Sequence, residues 1–391
     1  MDFWFWFFAG PAIVLALVSL RGEWKRARYV ELRLADPGPR VFPPATVIVP
    51  VKGPEAGLRE NLAALASLDY PDYELIIVAR RAADIPPGVL PARVKIVLAC
   101  RPEDDTKGEK VQNLLAAVRA ARWPSLVYAF ADSDGRVSPG WLRALVAPLA
   151  EAGVGATTGY RWYAPVPATF WSLMRSVWNA PIGGMFGPGD NRFAWGGSMA
   201  IRKKIFLAAR VADYWEETVS DDYALSAAIR RAGLSIVFAP GAMVASNDLI
   251  GAREFFAWAR RQMTITRVYD PLLWWQAFLA HIFYCGGMAA CILAALAGHR
   301  GAEWALIAQL APGMLKGTNR ATLARAELPD LKAWFDRHAW VHALWVPLAT
   351  WIWLIVLVSS LFSSRIQWRG RSYLLRRGTP SKLGYNEAKD A

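Results

Sequence analysis

Uninterrupted apolar segments lie near both ends of the chain. Phe3 to Leu20 carries no charged residue, and as a helix it is about long enough to cross the hydrocarbon core of a membrane. We predict a transmembrane anchor over residues 1–22, because Asp2 stands where a cleaved signal would be basic. Transmembrane or re-entrant segments are predicted over residues 271–365: Leu272 to Gly298 is long enough to span, Trp304 to Leu315 is marginal, and Ala339 to Phe362 is interrupted by Pro347.

Residues 40–250 differ from the flanks, because short apolar runs alternate with helical repeats. This alternation predicts an α/β domain with a mostly parallel sheet flanked by helices. After it, residues 251–270 predict an interfacial amphipathic helix that mixes arginines with aromatic residues. The predicted strands are Thr46–Val51, Leu75–Ala79, Val94–Ala99 and Leu126–Ala131, and the predicted helices are Glu55–Leu68, Gly108–Ala121, Ser220–Ala232 and Ala252–Tyr269.

Composition supports a membrane protein, since 54% of the residues are hydrophobic and 20 of the 391 are Trp. The net charge of +13 raises the possibility of nucleic-acid binding, but the basic residues crowd beside the apolar segments and no nucleic-acid module is present. That pattern predicts contact with a phospholipid bilayer and a cytoplasmic catalytic domain on an inner or plasma membrane. The basic residues are Arg21, Lys25, Arg26, Arg28 and Arg33 after the first segment, and Arg365, Arg369, Arg371, Arg376 and Arg377 at the start of a basic tail, residues 366–391.

Asp132-Ser133-Asp134 follows the predicted strand Leu126–Ala131 directly. In parallel sheets ligands bind at the carboxyl ends of the strands, and paired carboxylates suit a divalent cation with a sugar nucleotide. Surface turns are also rich in Asp and Ser, so the motif alone is weak. Its place at the end of a strand strengthens the prediction, and we expect Asp132 and Asp134 to form a metal and diphosphate site.

A second acidic pair, Asp221-Asp222, opens a predicted helix. Acidic residues favour the first turn of a helix, so one interpretation is an N-terminal cap. The other is catalysis, with Asp222 as general base and Asp221 supporting it. Before this pair, Trp195-Gly196-Gly197 lacks side-chain bulk at two positions, which allows a ligand to approach the backbone closely; a tight turn would explain the glycines equally well.

The order of seven short motifs resembles the GT-A glycosyltransferases of the ceramide glucosyltransferase group (family 2/21 type). The resemblance covers nearly the whole chain and includes the N-terminal anchor and the later apolar segments. Individually the motifs are weak, and together they are specific. They read TVIVPVKG at 46–53, LDYPDYE at 68–74, GEKVQNL at 108–114, Asp132-Ser133-Asp134, Gly196-Gly197-Ser198, Asp221-Asp222-Tyr223, and WRGRSY at 368–373.

This resemblance implies an inverting transfer of one sugar from a UDP-sugar to a membrane lipid hydroxyl, ceramide or another lipid. It implies Asp222 as base, and Arg261, from the family's Gln/Arg-x-x-Arg-Trp motif, near the diphosphate. The implied donor-binding residues are Pro50, Lys52, Asp84, Lys110, Asn113, Asp132 and Ser133, the acceptor-binding residues are Trp195, Gly196 and Gly197, and the metal ligands are Asp132 and Asp134, with Mg or Mn as the ion.

Two departures from the family pattern keep other functions open. The carboxylate expected after the second strand is missing, and only Asp84 could replace it. In the Gln/Arg-x-x-Arg-Trp motif, Trp258 stands at the polar position and Gln262 at the Trp position, which leaves ceramide uncertain and disfavours processive synthesis. The alternatives are a processive polysaccharide synthase and a non-catalytic membrane scaffold that keeps the fold.

Overall fold

The computed structural model describes residues 3–36, 38–39, 41–100, 108–122, 124–216, 218–375 and 388–390. The chain forms two compact units. The helical unit comprises Met1–Val30, Ala164–Met185 and Leu249–Ser363, and the sheet unit comprises Glu31–Tyr163, Phe186–Asp248 and Ser364–Ala391. Residues 164–185 therefore belong with the helices although they lie inside the predicted α/β segment, and residues 364–375 and 388–390 belong with the sheet. Arg376 and Arg377 of the basic tail lie outside the described residues.

The strands all lie in the sheet unit. They are β1 (Ala45–Pro50), β2 (Tyr73–Ala79), β3 (Lys95–Leu98), β4 (Val127–Ala131), β5 (Val154–Thr158), β6 (Arg161–Tyr163), β7 (Ser198–Arg202), β8 (Ser235–Phe238), β9 (Val244–Ser246), β10 (Arg365–Trp368), β11 (Arg371–Leu374) and β12 (Ala388–Asp390).

The helices are α1 (Phe3–Ala35), α2 (Leu58–Ala66), α3 (Glu109–Ala120), α4 (Trp141–Val146), α5 (Phe170–Gly183), α6 (Lys203–Ala208), α7 (Val211–Trp215), α8 (Asp221–Arg231), α9 (Ala252–Tyr269), α10 (Pro271–Leu296), α11 (Ala302–Glu327), α12 (Lys332–His338), α13 (Val341–Leu344) and α14 (Val346–Leu361). Short 3₁₀ turns cover Ala82–Asp84, Ala147–Ala150, Pro240–Ala242 and Pro329–Leu331.

The main sheet has seven strands in the order β3-β2-β1-β4-β7-β5-β8. Strands β3, β2, β1 and β4 run parallel, β7 runs antiparallel to both β4 and β5, and β5 runs parallel to β8. The predicted α/β class with a mostly parallel sheet is confirmed. Because β1, β2 and β4 are parallel, their carboxyl ends lie at one edge, where Pro50, Ala79 and Ala131 end the strands.

Apolar side chains cover both faces of this sheet. On β1, Val47 and Val49 point to a core with α2 and α4, whereas Ile48 points to a core with α3 and α8. This alternation follows from the two-residue period of a strand, and it explains why β1 reads as a continuous apolar run. Helices on both faces fix the strand ends, and so they also fix the side chains that follow those ends.

Helix α2 is shorter than predicted. We expected a helix from Glu55, but α2 begins at Leu58, because Gly57 adopts a left-handed conformation with φ of 70°. A right-handed helix cannot pass through such a residue. Glu55 therefore lies in the loop after β1, next to Lys52.

The helical unit contains two helices long and apolar enough to cross a membrane by length and composition, α1 and α10. The predicted segment Ala339–Phe362, which Pro347 interrupts, is divided into α13 and α14. Pro347 lies in the first turn of α14, where its missing N–H costs no hydrogen bond, and α14 rises only about 24 Å. Trp304–Leu315 is part of the longer helix α11.

Charged pairs are buried among these helices. Arg26 is 4% exposed and donates to Glu327 at 3.0 Å, and Glu23 accepts from Arg320. Arg26 was predicted to contact lipid headgroups as part of a juxtamembrane basic cluster. That expectation is wrong for this residue, because its guanidinium is buried and pairs with Glu327 inside the helical unit.

Candidate active site

The carboxyl end of β4 places the Asp132-Ser133-Asp134 motif beside the start of β7. Ala131 pairs with Ser198 in the antiparallel register, and the Asp132 N–H lies 3.4 Å from the Gly197 carbonyl oxygen. The predicted motif at 132–134 and the predicted pair Gly196-Gly197 are therefore neighbours. Sequence distance concealed this contact, because strands β5 and β6 and helix α5 intervene along the chain.

Lys110 joins the two acidic pairs. From the first turn of α3 its ammonium lies 2.8 Å from Asp132 Oδ1 and 3.0 Å from Asp221 Oδ2. Burial alone would lower the pKa of Lys110, but the Asp132 and Asp221 carboxylates outweigh it and raise that pKa above its ordinary value. Burial would raise the pKa of Asp132, but Lys110 and Arg161 hold it below its ordinary value. Both groups are therefore charged at neutral pH.

Arg161, at the start of β6, binds both carboxylates of the motif. Its guanidinium donates to both oxygens of Asp134, at 2.9 Å for Oδ2, and to Asp132 Oδ2 at 3.2 Å. The guanidinium carbon lies 4.9 Å from the centre of the Trp195 ring and 5.6 Å from that of Tyr163. A bidentate guanidinium fixed on aromatic faces is a strong, well-oriented partner.

Sequence analysis missed Arg161. The available signal was a single arginine within a run of aromatic residues, Tyr160, Trp162 and Tyr163, where an ordinary strand would be apolar. Such a buried cation requires a buried anion nearby. The identity of that anion depends on the pairing of β6 with β9, which the sequence did not show.

Gly196 and Gly197 are required by the close approach of these groups. A Cβ atom on Gly196 would lie 2.4 Å from Asp221 Oδ2, and one on Gly197 would lie 2.3 Å from the Trp195 ring and 2.6 Å from Asp132 Oδ2. A side chain at either position would therefore displace the Asp221 or Asp132 carboxylate or the Trp195 ring. The two glycines thus allow these carboxylates to lie directly against the backbone, in addition to forming a turn.

Asp221 and Asp222 open α8 but have different surroundings. Asp222 Oδ1 accepts from the Tyr223 N–H at 2.8 Å and from the Ser220 hydroxyl, and Asp222 Oδ2 lies 3.5 Å from the Gly196 N–H. Asp221 is 3% exposed, and burial raises its pKa to about 6 although Lys110 opposes this. The predicted cap is present, since Ser220 and Asp222 both receive the Tyr223 N–H. The cap uses Asp222 Oδ1, and Asp222 Oδ2 makes only the long contact with the Gly196 N–H.

Polar contacts fix the loop that carries the motif. The Asn61 amide donates to the Ser133 carbonyl at 3.1 Å, and the Ser246 hydroxyl donates to the Asp134 carbonyl at 2.9 Å. Arg136 in turn donates to Asn61 at 3.1 Å. Asn61 and Ser246 were not identified from the sequence, because their role depends on α2 and β9 packing against this loop.

The acidic centre, defined as Lys110, Asp132, Asp134, Arg161, Asp221 and Asp222, suits a divalent cation in its donor chemistry. Asp132 and Asp134 supply hard carboxylate oxygens, and their side chains keep 25% and 31% exposure. No group of three or more His, Cys, Asp or Glu side chains able to hold an ion occurs among the described residues. Mg²⁺ sites often use only one or two carboxylates plus substrate phosphates. A cation that bound both oxygens of Asp134 would displace Arg161.

A second charged group lies at the same edge of the sheet. The basic cluster consists of Lys52 after β1, Arg80 after β2, and Arg369 and Arg371 from the β10–β11 hairpin, with Glu55 and Glu109. Three of its cations surround Glu109 Oε2: Lys52 at 3.0 Å, Arg371 at 3.2 Å and Arg80 at 3.6 Å. Arg369 pairs with Glu55.

The remaining predicted site residues occupy separate places. Asn113 is buried on α3, and Pro50 ends β1. The Asp84 carboxylate accepts from the Arg81 N–H at 3.0 Å, so one of its oxygens caps a 3₁₀ turn. Arg261 lies on α9 of the helical unit. The roles assigned to these residues stay predictions.

Comparison with known proteins found a matching family model and similar solved structures. A model of the family described as glycosyl transferase family 21 matches residues 4–381. Among solved structures, the chain is similar to the mannosyltransferase PcManGT from Pyrobaculum calidifontis in complex with GDP-Man and Mn²⁺, with 17% identity, 89% of this chain and 99% of that chain covered, and a TM-score of 0.45. It is also similar to glucosyl-3-phosphoglycerate synthase from Mycobacterium tuberculosis with Mn²⁺, UDP and glucosyl-3-phosphoglycerate, with 16% identity, coverage of 62% and 83%, and a TM-score of 0.39.

Proposed function

Because the chain belongs to glycosyl transferase family 21, we propose that it transfers a single sugar from a UDP-sugar to the hydroxyl of a membrane lipid, with inversion at the anomeric carbon. Glycosyl transfer itself follows from the family. The donor nucleotide, the lipid acceptor, the stereochemistry and the use of Mg or Mn are the proposal, as is a cytoplasmic catalytic unit on an inner or plasma membrane.

One observation carries this proposal. Asp132 after β4 and Asp221 and Asp222 at the start of α8 converge on the Gly196-Gly197 backbone, with Lys110 between Asp132 and Asp221. A reaction at an anomeric carbon needs a base on one side and charge stabilisation at the leaving diphosphate on the other. The acidic centre offers both kinds of group within one ion-pair network.

Asp222 is suited to act as the base. Its Oδ1 atom is fixed by Tyr223 and Ser220, whereas Oδ2 has only a long contact with Gly196. Oδ2 would take the proton of the acceptor hydroxyl as the acceptor oxygen bonds to the anomeric carbon. The bond from that carbon to the diphosphate oxygen breaks in the same step, so one displacement inverts the centre. Asp221 is buried against Lys110, and we infer that it positions that ammonium.

A divalent cation held by Asp132 and Asp134 would supply charge stabilisation for the leaving diphosphate. Lys110, which lies on Asp132, would add a positive charge at the same side of the site. The Trp195 ring, which is half-buried over Arg161, borders the backbone where we place the acceptor.

The lipid acceptor is supported by the helical unit. Helices α1 and α10 leave bulky apolar side chains exposed, among them Phe3, Trp4, Val18, Leu272 and Leu293. Uncovered apolar surface of this extent on long helices is typical of contact with a membrane. A catalytic unit attached to such helices would meet acceptors that are themselves lipids.

The test is a transfer assay with detergent-purified full-length protein over a panel of UDP-sugars, with and without Mn²⁺, with ceramide or mixed lipid extract as acceptor. We expect lipid-stimulated release of UDP and a monoglycosylated lipid by mass spectrometry. Asp222→Asn should lose transfer by at least about a hundredfold, since a general base contributes that much or more. It should bind UDP nearly as tightly as the wild type.

Asp213→Asn is the matched control, because Asp213 is an acidic residue of the same unit that pairs with Arg210 on the surface. It should keep wild-type transfer. Equal turnover by Asp222→Asn would remove Asp222 as the base. Long polymer instead of a single sugar would point to a processive synthase, and no release from any donor by folded protein would contradict the proposed reaction.

A further inference from the structure

We propose that Lys316 and Arg320 of α11 and Ser19 and Glu23 of α1 form a binding site for the phosphate ester of an anionic membrane lipid. With Asn319, these residues are called the α1–α11 polar cluster. The Lys316 ammonium would bind the phosphate, and Glu23 would hold Arg320 beside it. This inference rests on the membrane contact in the proposed function and not on the transfer reaction.

The first argument is the charge balance of the cluster. The Glu23 carboxylate is occupied at both oxygens, since Arg320 Nε donates to Oε1 at 2.7 Å and Asn319 Nδ2 donates to Oε2 at 3.2 Å. Lys316 Nζ donates to the Ser19 hydroxyl oxygen at 2.6 Å and makes no ion pair among the described residues. Two cations therefore face one carboxylate. The single excess charge matches the phosphate of a phosphodiester, and lysine is a common phosphate ligand.

The second argument is burial. The Glu23 and Arg320 side chains keep 6% and 16% exposure, and Lys316 is half-buried. A positive charge held away from water without an anion is costly, so fold stability alone would favour an apolar residue or a balanced pair at position 316. A ligand phosphate would supply the missing negative charge. The partial exposure of Lys316 leaves this residue accessible to such a ligand.

The third argument is the alignment of α1 with α11. A Cβ atom on Gly287 would lie 2.8 Å from Gln309 Oε1 and 3.0 Å from Ala12 Cβ, so Ala12 and Gln309 lie at one level. About two helical turns later in both helices, Ser19 contacts Lys316. The two helices therefore run in the same direction, and their corresponding positions lie at the same depth.

This depth coincides with the end of the apolar run in each helix. No charged residue lies in Phe3–Leu20 of α1 or in Trp304–Leu315 of α11, and Lys316 is the first charge after the second run. If α1 crosses a membrane, this depth is the headgroup region, where basic pockets between helices bind anionic headgroups. The exposed Val18 and Leu315 directly precede Ser19 and Lys316, and they would contact acyl chains of the same lipid.

A structural tie is the competing explanation, in which Lys316 only attaches α11 to α1 through Ser19. The two explanations differ in sign for Lys316→Met in the absence of lipid. Loss of a tie lowers the unfolding temperature. Loss of an unmatched, half-buried charge leaves that temperature unchanged or raises it, because Met keeps much of the packing of the lysine stem.

The experiment is native mass spectrometry of the full chain released from detergent micelles, with phosphatidylglycerol, phosphatidylcholine and inorganic phosphate as separate probes. The wild type should bind phosphatidylglycerol at least about tenfold more tightly than phosphatidylcholine, and Lys316→Met should lose this preference. Lys316→Arg keeps the charge and should recover part of it. Lys332→Met is the matched control, since Lys332 is an exposed lysine of α12 in the same unit, and it should keep the wild-type preference.

Ser19→Ala separates the two explanations further, and thermal unfolding of each lipid-free variant accompanies the binding measurement. If Lys316 is a lipid ligand, Ser19→Ala should fold and keep the preference for phosphatidylglycerol, because the ammonium remains. If the pair is a tie, Ser19→Ala and Lys316→Met should lower the unfolding temperature equally, or both fail to fold. That second result would overturn the proposal.

Three other outcomes would also overturn it: no preference for phosphatidylglycerol in the wild type, an unchanged preference in Lys316→Met, or displacement of phosphatidylglycerol by inorganic phosphate, which would make the site one for free anions. Lipid binding needs neither donor nor acceptor. A failure of glycosyl transfer would therefore leave these results standing, and a failure here would leave transfer untouched.

Discussion

The acidic centre and the basic cluster lie at the carboxyl ends of the same parallel strands. The first is built mainly from carboxylates, and the second is built mainly from cations. Each also contains two side chains of the opposite sign, which are Lys110 and Arg161 in the acidic centre and Glu55 and Glu109 in the basic cluster. The two sites differ in the groups that hold these side chains. Arg161 lies against the Trp195 and Tyr163 rings, whereas Glu109 pairs with Lys52, Arg80 and Arg371.

This difference suggests how a charged site can fold before it binds a charged ligand. Partial neutralisation by internal side chains of the opposite sign lowers the cost of burying several like charges. Arg161 keeps its contacts with the Trp195 and Tyr163 rings when it leaves a carboxylate. No such ring contact of Glu109 is present among the described residues. We therefore expect the two internal partners to compete with ligands to different extents.

The largest expected effect follows from removing Lys110. Lys110→Met should lower the free energy of unfolding by about 3–5 kcal/mol at pH 7.5, because it leaves Asp132 and Asp221 buried without their shared cation. The cost should be smaller at pH 5, where Asp221 is protonated. Denaturant unfolding of detergent-solubilised protein measures it, with exposed Lys204→Met as control. A cost below about 1 kcal/mol would show that the acidic centre does not depend on Lys110.

The second effect is a pH dependence of stability that Asp221 confers. Burial raises its pKa from 3.8 to about 6, so the folded protein binds this proton more tightly than the unfolded chain. The resulting stabilisation, of up to about 3 kcal/mol, is present below pH 4 and is lost as the pH rises through 6. Asp221→Asn should lack this slope between pH 4 and 6 in thermal unfolding. An identical slope in both proteins would assign it to other groups.

The third effect tests whether Arg161 competes with a metal ion for Asp134. Arg161→Gln should bind Mn²⁺ about tenfold more tightly than the wild type in the absence of nucleotide, since the cation no longer competes with a guanidinium for Asp134. Mn²⁺ titration followed by electron paramagnetic resonance measures this without turnover. Arg210→Gln is the control, since Arg210 pairs with Asp213 on the surface. Weaker binding in Arg161→Gln would mean that Arg161 organises the carboxylates for the metal.

The smallest effect concerns the aromatic support. Trp195→Leu removes the ring under Arg161 and should cost about 0.5–1 kcal/mol beyond the loss of packing, as cation–π contacts typically do. A double-mutant cycle with Arg161→Gln isolates this contribution in unfolding experiments. No coupling between the two positions would show that Trp195 is present for the acceptor alone.

The acidic centre was largely predictable from the sequence. Asp132 and Asp134 follow an apolar strand, and Asp221 and Asp222 precede a helical repeat, so local pattern places each pair at an element boundary. The resemblance to known glycosyltransferases added Lys110. The sheet class followed from the alternation of strands and helices, and it is confirmed by the strand order.

The basic cluster was not predictable in the same way. Arg80 stands immediately after β2, near the place of an expected carboxylate, and it was read as a departure from the family pattern. Its partners Glu109 and Arg371 lie far from it in sequence, and the hairpin was read as a basic tail beside the membrane. Arg161 was missed for a related reason, because the register of two short strands decides its contacts.

The β10–β11 hairpin is synthesised after the helical unit, although it belongs to the sheet unit. Residues 364–375 leave the ribosome after helices α9 to α14, yet they belong to the sheet unit whose strands β1 to β9 were made much earlier. A nascent chain that has completed β9 contains every member of the acidic centre but lacks Arg369 and Arg371. A chain that ends before β10 would therefore contain the acidic centre without the two arginines that pair with Glu55 and Glu109.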